Sequence, residues 1–356
     1  MNAFFPKMKQ RDEQLDIFRG LVMIYIVCVV HVYYSWICAP LEPHKSLILF
    51  EMPLIFFISG AALQISDNRR SIGSQLVNRA KRVLLPYYVY IGIIIAILLL
   101  SKLIFGDSIR INQSINIDFK NILLPLDWPT NIPDCAHLWF IVPFMVISCS
   151  FPLQRKFVDK INASIYMLLC FIAFGLSCLF DSCVIQEIFG YNIFFMMGYF
   201  YYRRLKIKSI ITIFLASTSL LITSLTIFGY DFTPMLQHKF PPDFIFITYG
   251  IVVLSLLGVM FSYIRLRNNW FIKRWNKHCY TIYLWQPVMY MGFYWMIRKI
   301  GLNCQLIAQP WRFIFLAVGV FLFSTCVSFV TVPIERWVIK YVDVLVDRFK
   351  RWLALN

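Results

Sequence analysis

The first strongly apolar segment of the sequence, residues 15–38, contains an arginine near its start and a histidine in its second half. Arg19 and His31 are separated by about 18 Å if the segment is a regular helix. An ionisable side chain at membrane depth is costly and usually functional. Because a neutral imidazole accepts a proton near pH 7, we expect His31 to act as a general base.

A carboxylate lies in the next apolar segment, residues 45–66, at nearly the same predicted depth as His31. Glu51 at this depth would orient the imidazole and stabilise its charged form, as the third member of a catalytic triad does. The alternative is a glutamate at the level of the lipid headgroups. Further along the segment, the small pair Ser59 and Gly60 favours close packing against another helix.

Two arginines, Arg79 and Arg82, form an R-x-x-R pair at the start of the third apolar segment. Residues three apart share a face of a helix. Arginine binds phosphate groups bidentately, so the pair is a candidate binding site for a phosphorylated ligand. The alternative is a purely topological role, since basic residues anchor the cytoplasmic ends of membrane helices.

Aromatic residues cluster where the fourth apolar segment follows a long hydrophilic insert, residues 106–134. Trp128, His137 and Trp139 form this cluster. Tryptophan is common at membrane interfaces, and flat aromatic rings also suit sugar binding. Both interpretations of the cluster remain open on the sequence alone.

The composition places these residues in an all-α integral membrane protein. Hydrophobic residues make up 60% of the 356 residues and charged residues 15%, whereas about a quarter of a soluble domain is charged. About ten apolar segments are candidates for transmembrane helices. They are residues 15–38, 45–66, 84–105, 136–153, 164–185, 188–202, 207–229, 244–264, 279–297 and 312–338.

The net charge of +16 is distributed over alternate loops, which argues against a nucleic-acid partner. By the positive-inside rule this alternation predicts that both termini are cytoplasmic. No linker or repeat divides the chain, so we expect a single transmembrane domain over residues 1–356, with a short cytoplasmic tail from about residue 340. No cysteine–histidine pattern has the spacing of a metal site, and no metal is expected.

Four motifs in order, "LDIFRG" with His31 in the same helix, "FEMPLIFFISGAAL", "RAKRVLLPYYVY" and "HLWFIVPF", resemble the acyltransferase 3 family of membrane-bound O-acyltransferases. The resemblance implies transfer of an acyl group, such as acetyl, from cytoplasmic acyl-CoA to a glycan or lipid-linked sugar at the outer face of a bacterial plasma membrane. It implies acyl-CoA as a co-substrate, with no permanently bound cofactor.

With this resemblance, the candidate residues take specific roles. His31 and Glu51 are the expected catalytic residues, and Arg19, Arg79 and Arg82 are expected to bind the acyl-CoA donor. The aromatic cluster of Trp128, His137 and Trp139 is expected to contact the acceptor.

The spacing within the first segment departs from the family, in which ten residues usually separate the arginine and the histidine; here Gly20 to Val30 makes eleven. One additional residue would swing His31 about 120° away from the face of Arg19 in a regular helix. We therefore predict an i→i+5 turn between Gly20 and His31, since such a turn absorbs one residue.

A transporter of a glycan or carboxylate, without acyl-transfer chemistry, is the alternative function. Carriers are often built from two repeated halves with interrupted helices. The hydropathy of this chain shows no such symmetry, which favours the enzyme. The sequence does not identify the acyl group, the sugar hydroxyl that receives it, the existence of an acyl-enzyme or the oligomeric state.

Overall fold

The computed structural model describes residues 12–35, 38, 42–66, 72–105, 136–158, 160–180, 182–227 and 229–355, which are almost entirely helical. Among them, β-pairing is limited to an isolated bridge between Lys239 and Pro242. A π-helix covers Tyr25–Val30, and 3₁₀-helices cover Ala136–Phe140 and Cys304–Leu306. The α-helices are α1 (Glu13–Ile24), α2 (His31–Tyr33), α3 (His44–Leu47), α4 (Glu51–Ser66), α5 (Ile72–Phe105), α6 (Ile141–Val158), α7 (Ala163–Ser177), α8 (Cys183–Tyr201), α9 (Ile207–Thr226), α10 (Met235–Lys239), α11 (Phe244–Tyr263), α12 (Trp270–Lys277), α13 (Cys279–Lys299) and α14 (Trp311–Leu355).

The all-α class is confirmed, and a helix lies at each of the ten predicted spans. Within the described part of the chain, seven helical segments are long and apolar enough to cross a bilayer. They are Glu13–Tyr33, His44–Ile65, Leu76–Ser101, His137–Val158, Ile207–Thr226, Phe244–Tyr263 and Trp311–Leu345. Helix α7 is shorter, and α8 and α13 carry several polar residues. Ten crossings and cytoplasmic termini therefore remain predictions.

Capping residues set boundaries that the hydropathy pattern does not give. Helix α7 ends at Ser177, earlier than the predicted span 164–185. The next helix, α8, starts at Cys183 because the Ser182 side chain accepts a hydrogen bond from the Ile185 N–H. The sixth apolar helix is consequently longer than the predicted span 188–202.

The last helix, α14, continues from the membrane segment to Leu355. The predicted tail from residue 340 is therefore helical. No glycine or proline follows Pro333 in this helix, so nothing in its sequence interrupts the backbone hydrogen bonds.

The chain forms two compact units, each assembled from separate stretches of sequence. The first unit comprises the described parts of Met1–Ser71 and Ser150–Lys277, which include α1–α4 and α7–α12. The second comprises the described parts of Ile72–Cys149 and His278–Asn356, which include α5, α13 and α14.

In the first unit, α4 and α8 cross at two glycines. A Cβ atom on Gly60 would overlap the carbonyl oxygen of Phe195, and a Cβ atom on Gly198 would overlap that of Phe57. The predicted packing role of Gly60 is thereby confirmed. Close backbone approach through small residues is a common way for membrane helices to associate.

We predict that Gly60→Ala and Gly198→Ala each destabilise the protein, because the added methyl group forces two backbones apart. Overpacking of this kind costs about 1–3 kcal/mol. Gly175→Ala in α7 is the matched control, since a Cβ atom there meets no atom within 4 Å. Thermal unfolding in detergent measures the difference. Equal melting temperatures for all three variants would contradict the close crossing.

Candidate functional site

His31 lies immediately after the π-helical turn of Tyr25–Val30. Its backbone N–H donates to the carbonyl of Ile26, five residues earlier, and its side chain is half-buried. The predicted i→i+5 irregularity between Gly20 and His31 is therefore confirmed. A π-helical turn takes up one additional residue, as the spacing within this segment predicted.

Arg19 lies in α1, in the same unit as His31. One of its terminal nitrogens is 3.8 Å from a carboxylate oxygen of Asp16, one helical turn earlier. The side chain of Arg19 is one-third exposed, at 33%. A guanidinium has five N–H donors, so this pairing occupies only part of its capacity.

Three tyrosines from three different elements hold the segment that precedes α4. The hydroxyl of Tyr34 donates to the carbonyl of Lys45 at 3.0 Å, and Tyr25 and Tyr249 donate to the carbonyls of Ile48 and Leu47. The break between α3 and α4 interrupts the i→i+4 hydrogen bonds that these carbonyls would accept within a helix, and the tyrosine hydroxyls donate in their place. The tyrosines thus fix the point at which α4 begins.

Glu51 is the first residue of α4 and is buried, with 2% of its surface exposed. The ammonium group of Lys239, itself 5% exposed, donates to Glu51 Oε1. The second carboxylate oxygen, Oε2, accepts no hydrogen bond from the described residues. Glu51 is therefore a buried, paired carboxylate, whereas its depth relative to the lipid headgroups stays a prediction.

A second buried carboxylate lies close to this pair. Glu187 in α8 is 5% exposed, accepts a hydrogen bond from the Cys183 thiol at 3.3 Å, and is within Coulombic range of the Lys239 ammonium group. The buried hydroxyl of Tyr191 is within Coulombic range of both Glu187 and Glu51. We call Glu51, Lys239 and Glu187 the buried charge cluster.

Sequence reasoning missed Lys239 and Glu187. Lys239 lies in the connection between α9 and α11, where it reads as one more basic loop residue, and it pairs with a carboxylate 188 positions away. Glu187 interrupts an otherwise apolar stretch. An acidic residue in a membrane helix is a signal for a functional or paired site, and this signal was present in the sequence.

The second unit contains Arg79 and Arg82, both in α5. Arg79 is half-buried and donates to the backbone carbonyl of Ser148, whereas Arg82 is exposed. Between them, Lys81 forms an ion pair with Asp343 of α14 at 2.8 Å. The two arginines therefore share a helix but differ in environment.

The same unit contains His137 and Trp139, at the start of the fourth apolar segment. The ring of His137 lies beside those of Tyr90 and Tyr283, and its Nε2 is 3.2 Å from the carbonyl of Leu284. A carbonyl only accepts, so Nε2 carries a proton in this contact. Trp139 is buried, with 9% exposed. The third member of the predicted aromatic cluster, Trp128, lies outside the described residues.

The arrangement brings Arg19, His31 and Glu51 into the first unit and Arg79, Arg82, His137 and Trp139 into the second. In chemical terms, the first unit offers a proton acceptor and a buried ion pair. The second offers cationic groups on α5.

Comparison with known proteins gives one match. The family model described as an acyltransferase domain, Acyl_transf_3, matches residues 12–331, which is nearly the whole chain. No curated protein and no solved structure matches the chain significantly.

We predict that Lys239→Met destabilises the protein by about 3–5 kcal/mol, because it leaves Glu51 buried without its cation. The double variant Glu51→Gln/Lys239→Met removes both charges and should recover most of that loss. Lys208→Met, at an exposed lysine of the same unit, is the control. The free energy of unfolding of the four variants, including Glu51→Gln alone, is compared in a double-mutant cycle. A double variant no more stable than Lys239→Met would exclude the pairing.

Proposed function

This chain belongs to the acyltransferase 3 family, and we propose that it is an O-acyltransferase acting across the membrane. It moves an acyl group, in the simplest case acetyl, from cytoplasmic acyl-CoA to a hydroxyl of a glycan or lipid-linked sugar at the outer face of a bacterial plasma membrane. The observation that carries the proposal is the family match over residues 12–331. The apolar helices support a location in the bilayer.

In the proposed reaction, His31 takes the proton of the acceptor hydroxyl as the hydroxyl oxygen attacks the thioester carbonyl carbon. A carbon–oxygen bond forms, and the carbon–sulfur bond of the thioester then breaks. The imidazolium returns its proton to the leaving thiolate, so no net proton is produced. General-base assistance of this kind contributes typically about 10²–10⁴-fold to a rate.

Glu51 has a positioning role in this proposal, and Lys239 supports it. An ionised carboxylate near the imidazole stabilises the positive charge that develops during proton transfer. A lone buried carboxylate would take up a proton and lose this effect, because burial disfavours the charged form. The ammonium group of Lys239 donates to Oε1 of Glu51 and offsets its charge, and Oε2 accepts no hydrogen bond from the described residues.

Arg19, Arg79 and Arg82 are the residues proposed to bind the donor. Arg82 is exposed and suits the phosphates of coenzyme A, while Arg79 positions the same turn of α5 through its bond to Ser148. Arg19 keeps unused N–H donors beside Asp16. Arginine suits the phosphates of the donor because it binds a phosphate group bidentately.

The acceptor contacts are proposed for Trp128, His137 and Trp139. His137 packs against the rings of Tyr90 and Tyr283, and Trp139 is buried in the same unit. Aromatic rings and a ring nitrogen of fixed orientation are chemically suited to a sugar.

Purified protein incubated with radiolabelled acetyl-CoA and isolated cell-envelope glycan tests the proposal. We expect label in the glycan, or slow hydrolysis of acetyl-CoA when no acceptor is present. Uptake of a glycan or carboxylate by proteoliposomes, without any turnover of acyl-CoA, would instead support a transporter.

We predict that His31→Ala lowers turnover by about 10²–10⁴-fold and leaves the melting temperature nearly unchanged, since the loss is that of the general base. The matched control is His44→Ala, at an exposed histidine of the same unit. Rates are measured with labelled acetyl-CoA under single-turnover conditions. Wild-type turnover in His31→Ala would remove His31 from the mechanism.

We predict that Arg82→Ala raises the KM for acetyl-CoA more than it lowers kcat, because the arginine contributes to binding and not to the chemical step. The wild-type KM should also rise with ionic strength, as expected for an exposed cation. Arg348→Ala, at an exposed arginine of the same unit, serves as the control. Unchanged donor affinity in Arg82→Ala would leave this arginine with a topological role only.

A further inference from the structure

The first unit contains a cavity of about 410 Å³ that is separate from the buried charge cluster. It lies between α1, α4, α8, α9 and α11, and its volume is in the range of known small-molecule sites. Most of its walls are hydrocarbon or aromatic, with Phe18, Phe57, Met197 and Leu254 as examples. An apolar cavity of this size is a poor site for water but a good one for a hydrocarbon chain.

One end of the cavity is polar and rigid. Arg203, at this end, has a φ of 56°, which is uncommon for a residue with a side chain. Its conformation is held by Asp12, which is 3.0 Å from the guanidinium and also accepts a hydrogen bond from the Tyr202 hydroxyl at 3.2 Å. Gln14 and Leu266 also line the cavity, and the Gln14 side chain forms two hydrogen bonds with the backbone of Leu266.

Arg265 is the second cation that lines this end, and its side chain is exposed. Whereas Arg203 is neutralised by Asp12, Arg265 makes no ion pair within the described residues. The cavity thus combines an apolar interior with a cation, Arg265, that is not balanced by any acidic side chain among the described residues. In the predicted topology these residues lie at the cytoplasmic ends of the helices, where basic pockets between helices bind anionic lipid headgroups.

We propose that this cavity binds an anionic glycerophospholipid, with one acyl chain between α9, α11 and α1 and its phosphate at Arg265. The apolar lining fits a hydrocarbon chain and offers few donors for the polar nucleotide of coenzyme A. Helices α9 and α11 also expose large apolar residues such as Leu215 and Met260, as expected for helices that contact lipid.

The lipid site is distinct from the proposed reaction centre. Phe18 is the lining residue of α1 nearest to His31 in sequence, and the two are separated by about 20 Å along the helix. The lipid would act by holding α9 and α11 against α1, α4 and α8, and it takes no part in the bond changes.

Native mass spectrometry of the purified full chain tests the proposal with two lipids of identical acyl chains, phosphatidylglycerol and phosphatidylcholine. We expect the wild type to bind one phosphatidylglycerol about fivefold more tightly than phosphatidylcholine, as expected for one basic side chain at an anionic headgroup. Arg265→Gln should abolish this preference. Ser262→Phe, which places a ring at the mouth of the cavity, should reduce the binding of both lipids.

Arg267→Gln is the matched control, because Arg267 is equally exposed but does not line the cavity. The proposal is overturned if Arg265→Gln and Arg267→Gln behave alike, or if the wild type shows no preference for the anionic lipid. Displacement of the lipid by excess acetyl-CoA would assign the cavity to the donor and would also overturn it. Lipid binding is measured without turnover, so its outcome is independent of the proposed acyl transfer.

Discussion

The arrangement of the first unit depends on the pairing of Lys239 with Glu51. Two opposite charges that are both almost fully buried are stable only when they are paired, and removal of either one is strongly destabilising. The pair connects the end of α10 to the start of α4. A second contact joins the same two regions, since the Met235 N–H donates to the Ser46 hydroxyl at 2.9 Å. The position of α4 is therefore set by charge at its first residue as well as by packing along its length.

The π-helical turn also contacts the segment that precedes α4. Tyr25, the first residue of this turn, stacks on Phe50 with ring centroids 4.9 Å apart and donates to the carbonyl of Ile48. Tyr25 thus contacts Ile48 and Phe50, which lie shortly before Glu51. Because the turn ends at His31, one set of contacts fixes both the register of the histidine and the start of α4.

Hydropathy and spacing predicted much of this arrangement. A helix lies in each of the ten apolar segments. The residue between Arg19 and His31 that is additional to the spacing of the resembled family predicted the π-helical turn, because helix geometry converts a residue count directly into an angle. No comparable local rule predicts which residues of two distant segments will pair. Lys239 and Glu51 are brought together by tertiary structure, and neither the loop around Lys239 nor its charge identifies the partner. The start of α4 at Glu51 also depends on hydrogen bonds from three tyrosines of other elements. A hydropathy profile does not predict such contacts.

The charge balance of the buried cluster bears directly on the proposed chemistry. Glu51, Glu187 and Lys239 together carry an excess negative charge unless the cluster holds a proton. Acyl transfer from a thioester to a hydroxyl consumes and releases no net proton, so the cluster has no need to export one. In the proposed reaction, the cluster would supply a fixed field that favours a transient imidazolium at His31. The excess negative charge of the cluster, held in place by the hydrogen bond from Lys239 to Glu51, would supply that field with little reorganisation, which is how buried polar groups contribute most to catalysis.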